Sequence, residues 1–201
     1  MVESLVRTLA EVRREPRKGL HVLLELARGM FARLRCKLAG KQVSFGRNFR
    51  IMPGGRLDVQ GRGRVVFGDD VRIGMTVTPW TDTAEALIEI GNRVTLNGTR
   101  FGCHKSIRIG DRCMIGDCRM MDSDYHGTDP EARDQFEVAP IEVGANVWIT
   151  MQCIVLKGVT IGEGSTITAG SVVMRDVPAN SIYGGNPARF MLSALRSENR
   201  A

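Results

Sequence analysis

Between Val143 and Val173 a β-branched aliphatic residue recurs at every sixth position: Val143, Ile149, Val155, Ile161, Ile167, Val173. Four places after each stands a small or short residue: Val147, Cys153, Val159, Ser165, Ser171 and Val177. Turn formers fill the gaps, as in Lys157-Gly158, Gly162-Glu163-Gly164 and Ala169-Gly170. An α-helix, at 3.6 residues per turn, would scatter such a series around its whole cylinder. A strand keeps it on one face, because six is a multiple of two. Each six therefore supplies a short extended piece with its aliphatic inward, then a turn. Repetition of that unit predicts a β-solenoid, whose coils have a core only when stacked.

The same spacing begins at Phe45, Ile51 and Leu57, slips, and resumes at Phe67 and Ile73. Residues Thr78 to Thr83 read as a polar loop that breaks it. It returns at Ile90 and Leu96, and again at Ile109, Ile115 and Met121. The largest interruption is residues 127–140, polar and out of phase, and a loop thrown out of a regular solenoid is a natural seat for function. Residues 1–42 form a basic amphipathic helical segment. Leu20, Leu23, Leu24, Ala27, Met30, Phe31, Leu34 and Leu38 make one apolar stripe, and a shorter helical piece around Leu5, Leu9 and Val12 precedes Pro16. Two roles fit the segment: a cap on the solenoid's open end that packs between subunits, or a helix lying on an anionic membrane as a peripheral contact. The β-helix is expected over residues 43–186, and a short C-terminal helix in the tail, residues 187–201.

Aromatic residues are only 5% of the chain against 23 glycines, which suits narrow interior positions and many turns. The net charge of +6 suits an anionic ligand but is too modest to imply nucleic acid. Without a signal peptide or an apolar run of spanning length, and with five cysteines in no framework spacing, the expectation is a cytoplasmic protein, at most membrane-peripheral.

Of three histidines, His21, His104 and His126, the last sits at the root of the extruded loop among carboxylates. In an extended stretch Asp122, Asp124 and His126 share one face, and a carboxylate beside an imidazole fixes its tautomer and raises its basicity. The plain alternative is a surface histidine beside solvated acids.

The sixes, Asp124-Tyr125-His126 before a Pro-containing loop, Asn146-Val147-Trp148-Ile149 after it, Gly170-Ser171-Val172-Val173, and the closing Gly184-Gly185-Asn186-Pro187-Ala188-Arg189 resemble the hexapeptide-repeat acyltransferases. Within that family the likeness is to the maltose, galactoside and polysaccharide-modifying sugar O-acetyltransferases, over residues 45–190. The resemblance implies an all-β solenoid, a left-handed parallel β-helix of three sixes to a coil, and a homotrimer with active sites between subunits. It implies acetyl-CoA as acyl donor, His126 as general base with Asp124 and Asp122 beside it, and a carbohydrate hydroxyl as acceptor. Asn97 is similar to the acceptor-binding Asn. Trp148, Met151, Ala169, Arg175 and Arg189 match positions along the CoA. Met151 and Met174 stand where the family often has small polar residues, and residues 1–42 do not match its acceptor-binding segment.

The expected activity is thus O-acetyl transfer to a carbohydrate, a small molecule or a lipid-linked precursor of a surface polysaccharide. N-acetyl transfer to an amino sugar or other amine, and a non-catalytic scaffold, are the alternatives. A metal-hydrating site of the same fold needs three histidines on one ion, and the close pair is missing, so no metal is expected.

Overall fold

The computed structural model describes residues 16–194. They form one α-helix, α1 (Pro16–Leu38), followed by a parallel β-helix with three flat faces. The first face stacks the strands Val43–Phe45, Arg64–Phe67, Leu87–Ile90, Ser106–Ile109, Ile141–Val143 and Thr160–Ile161. The second runs from Arg50–Ile51 through Met114–Ile115, Trp148–Ile149 and Thr166–Ile167 to Ser181–Gly184. The third contains Arg56–Leu57, Thr76–Thr81, Arg100–Cys103, Cys118–Met121, Cys153–Val155 and Val172–Val173.

The pairing register explains the sixes. Val143 pairs with Ile161, Trp148 with Thr166 and Ile154 with Val172, in every case three sixes further along the chain, or one six per face. Val143, Ile161, Ile149, Ile167, Val155 and Val173 all point inward with at most 4% exposure, and the short residues Val147, Cys153, Val159, Ser165, Ser171 and Val177 are buried at the corners. Earlier coils are longer. Val43 pairs with Val65 and Val65 with Ile88, each step exceeding three sixes, so the repeat slips while the stack does not.

At the corner between first and second faces, Asn48, Asp70, Arg93, Arg112, Asn146, Gly164 and Asn180 follow one another coil by coil, all with φ between 54° and 71°. Asn, Asp and Gly tolerate that left-handed backbone best, and they occupy most of the column.

Four expectations need correction. Residues Thr76–Thr81 are not a loop but a strand of six residues with alternate side chains buried. Pro79 has no amide to donate, and the ladder to the neighbouring strand is interrupted opposite it, at Asp58 and Val59, while the register from Arg56–Leu57 to Gln60–Gly61 is unchanged. Further on, the inward residue is Met120, at 0% exposure, not Met121. The tail forms no helix at its start: Arg189–Ser193 is an antiparallel strand that runs back along Ser181–Gly184. Finally, α1 caps the first coil, but not with its leucines. Gly29, Ala32 and Cys36 face the β-helix, and a Cβ on Gly29 would sit 2.2 Å from the Phe49 carbonyl oxygen, so only glycine allows that approach. Leu20, Leu24, Phe31, Leu34 and Leu38 stay exposed. No described helix is long and apolar enough to cross a membrane. The helical piece expected around Leu5, Leu9 and Val12 lies outside the described residues.

Candidate active site

The loop leaves the β-helix at the corner between third and first faces, after the strand Cys118–Met121, and the chain returns at Ile141–Val143. Ile107 pairs with Ile141, nearly twice the regular step, so the coil carries an insertion and still closes in register. The loop is held at its neck. Ser123 bridges to Val138, the Asp124 amide donates to the Glu137 carbonyl at 3.2 Å, and the Ala139 amide to the Asp122 carbonyl at 2.9 Å. Farther out, the Gly127 amide donates to the Arg133 carbonyl, and Asp129 caps the 3-10 turn Pro130–Ala132 by accepting from the Glu131 amide. From the next coil, Lys157 reaches Asp124 at 2.9 Å and Glu137 at 3.1 Å, which holds its ammonium above the ordinary lysine range.

His126 is exposed and lines a pocket of about 580 Å³ together with Asp124, Thr128, Gln135, Phe136 and Glu137. The predicted carboxylates part company. Asp124 shares this pocket, but Asp122 is fully buried and accepts from the His104 amide at 2.7 Å and the Lys105 amide at 2.8 Å. Alternation does not carry over because the strand ends at Met121, before Asp122, and the stretch that follows is not regular extended backbone, with Tyr125 at φ 63°.

His104 is the feature that sequence reasoning passed over. Its ring is 7% exposed. Nε2 lies 2.9 Å from Asp82 Oδ2, and Nδ1 lies 2.8 Å from Ser123 Oγ. A carboxylate only accepts, so Nε2 carries a proton, and in the neutral ring Nδ1 accepts from the Ser123 hydroxyl. Rings close around it edge-on: Tyr125 at 5.0 Å, Phe136 at 5.2 Å and Trp80 at 6.1 Å, with Trp80 and Tyr125 stacked at 5.4 Å. Burial, then the charges of Asp122 and Asp82, push the Tyr125 hydroxyl up to about 12.

The other predicted residues lie elsewhere on the section. Trp148, 51% exposed, projects from the second face beside Met114. Met151, 62% exposed, is at the next corner, where its carbonyl accepts from the Gly170 amide beside Ala169. Arg175 and Arg189 are exposed, and Asn97 is exposed at the turn after Thr95–Leu96. Within one chain the third face therefore separates His126 from Trp148, Met151 and Ala169.

Residues 140–175 match the family described as bacterial transferase hexapeptide (six repeats). Among curated relatives, the galactoside O-acetyltransferase of Escherichia coli K12 is 37% identical over 88 residues, 43% of either chain. The chain spans less than half the length of such relatives. Among solved structures, the polySia-specific acetyltransferase NeuO superimposes with a TM-score of 0.51 at 26% identity, covering 80% of this chain and 82% of that one. A point variant of AntD, an N-acyltransferase from Bacillus cereus bound to dTDP and coenzyme A, gives 0.66 at 20% identity, covering 81% and 88%, a likeness of fold alone. The match falls on the most regular stretch of the β-helix, three sixes to a coil, and it is over this stretch that the chain resembles the hexapeptide-repeat transferases.

Proposed function

We propose that this protein is an acetyl-CoA-dependent acetyltransferase that acylates a carbohydrate hydroxyl, with His126 as general base, in a homotrimer. The observation that carries the reading is the placement of His126: an exposed imidazole in a pocket, on the loop that interrupts the regular coil. His126 takes the proton of the acceptor hydroxyl as that oxygen attacks the thioester carbon. The tetrahedral intermediate collapses, the C–S bond breaks, and the proton passes to the departing thiolate. No acyl-enzyme forms. A positioned base of this kind is worth about 10²–10⁴-fold.

Coenzyme A would lie along Trp148, Met151 and Ala169, with its phosphates at Arg175 and Arg189, since exposed guanidiniums pair with phosphate bidentately. Those residues and His126 stand on opposite sides of the third face, so a complete site needs the base of one protomer and the CoA groove of the next. This supports the trimer, a closed ring in which each site joins two copies. The chemistry also suits an amine acceptor: Lys157 balances only one of the two charges of Asp124 and Glu137, and the remaining negative charge would draw a cationic amino sugar, which attacks once it has lost its proton.

Incubation with acetyl-CoA and candidate sugars, read as free thiol, tests the proposal. His126→Ala should lose at least about 10²-fold in turnover. Equal thiol release by wild type and variant would end the assignment. Hydroxylamine separates the acceptors, because it cleaves O-esters and leaves amides, and sedimentation gives the copy number.

A further inference from the structure

Asp82, His104 and Ser123 come from three successive coils. Thr81 pairs with Cys103, and Gly102 with Met121, so the residues that follow these strands stack along the solenoid axis at the corner from which the loop departs. Their side chains join end to end: carboxylate to Nε2 at 2.9 Å, Nδ1 to hydroxyl at 2.8 Å.

A carboxylate, an imidazole and a serine in line suggest nucleophilic catalysis, but the burial excludes it. Ser123 is 5% exposed and the His104 ring 7%, so no thioester can reach the hydroxyl. The contacts of His104 point to another role. Besides Ser123 it touches Tyr125, which precedes His126, and Phe136, which lines the His126 pocket. One imidazole thus holds both strands of the loop neck.

We infer that Asp82, His104 and Ser123 are positioning residues for His126: a hydrogen-bonded ladder across three coils that fixes the loop neck and so the angle at which His126 meets the acceptor. Asp82 sets the tautomer of His104. The tautomer makes Nδ1 an acceptor for Ser123, and Ser123 anchors the bridge to Val138 at the neck. Tyr125 keeps its left-handed backbone because its ring is wedged between His104 and Trp80. Asp122 supports the ladder from beneath by accepting the backbone amides of His104 and Lys105. The inference rests on His126 as base for its catalytic consequence only; the mechanical part stands alone.

The test combines turnover with amide hydrogen exchange. Ser123→Ala removes the last rung, and His104→Phe keeps the ring edges while removing both polar atoms. Displacement of a base by an ångström costs on the order of 10²-fold, so either variant should lower kcat about 10- to 100-fold with KM for acetyl-CoA little changed. Ser123→Thr, which restores the hydroxyl, should recover most of the loss. Amides within the loop, at Asp124, Gly127 and Gln135, should lose protection about tenfold or more, while those of the coil at Trp148 and Thr150 keep theirs. Loop protection unchanged in both variants would overturn the ladder. Wild-type kcat in both, with His126→Ala inactive, would also overturn it and leave the base in place. If His126→Ala keeps full turnover, the base assignment falls, and exchange alone decides the ladder.

Discussion

Gly102→Ala should damage chemistry far more than fold. Gly102 lies on the strand Arg100–Cys103, paired with Trp80 on one side and Met121 on the other, so its backbone cannot shift. An added Cβ would stand 1.6 Å from the Tyr125 hydroxyl oxygen and 2.9 Å from Cζ. Ordinary contact begins near 3.4 Å, so the hydroxyl must retreat by almost two ångströms. The ring can do so only by leaving its stack on Trp80 at 5.4 Å and its edge contact with His104 at 5.0 Å. Losing both contacts, at about 0.5–1.5 kcal/mol each, costs about 1–3 kcal/mol. In a chain of this size that is a fall in Tm of about 2–12 °C. Tyr125 adjoins His126, and on the proposal that His126 is the base, its shift by an ångström costs about 10²-fold in rate. The assay is thiol release beside thermal denaturation. In a Tyr125→Ala background the same substitution should be close to neutral, because the clash is gone. Full turnover in Gly102→Ala, or an equal added loss in both backgrounds, would refute the chain of contacts from Gly102 to the base.

Three further outcomes can be checked. Ile149→Ala empties a fully buried position and should cost about 2–5 kcal/mol in urea denaturation, whereas Met174→Ala, at an exposed site, should change stability by less than about 0.5 kcal/mol. Tyr125 keeps its proton in the fold up to about pH 12 while the unfolded chain releases it near 10. Its contribution is therefore complete below pH 10 and lost as pH rises through 12, and Tyr125→Phe should unfold with a shallower alkaline decline over that window. Lys157→Ala removes an exposed pair of salt bridges worth about 0–1 kcal/mol, so Tm should barely move, but the loop neck loses a tie, and trypsin should cut after Arg133 faster than in wild type.

The architecture was legible wherever the coil had its minimal length. From Val143 onward the spacing of aliphatics on the page is the spacing in the stack, and the corner residues follow from it. Legibility failed where extra residues entered a corner. The longer coils that join Val43 to Val65 and Val65 to Ile88 put Thr76–Thr81 out of phase, and its proline and polar residues then resembled a loop. Met121 stood in the expected inward place of Met120 for the opposite reason, because the inward residues Ile115 and Met120 are five places apart where Ile149 and Val155 are six. The leucine stripe of α1 was visible, but the surface the helix buries was not, because a close approach is made by Gly29 and Ala32, residues that carry no apolar signal. The grouping of His126 with Asp124 in one pocket could be read from the sequence, because the two are near neighbours in the chain, whereas Asp122 is buried apart from them. His104 was missed because Asp82 and Ser123 are neighbours only through stacking. A signal did exist: Asp82 precedes it, and Ser123 follows it, by the step of one coil.

The long step at the extruded loop, from Ile107 to Ile141, bears on how such a molecule assembles. Nearly doubling the span to be closed costs only about 0.6 kcal/mol more in chain entropy, since the penalty grows with the logarithm of length. The rungs can therefore zip past the insertion with little delay. Residues in it could be lengthened, shortened or exchanged without altering the scaffold that carries them, which leaves the pocket at His126 free to change while the prism stays the same.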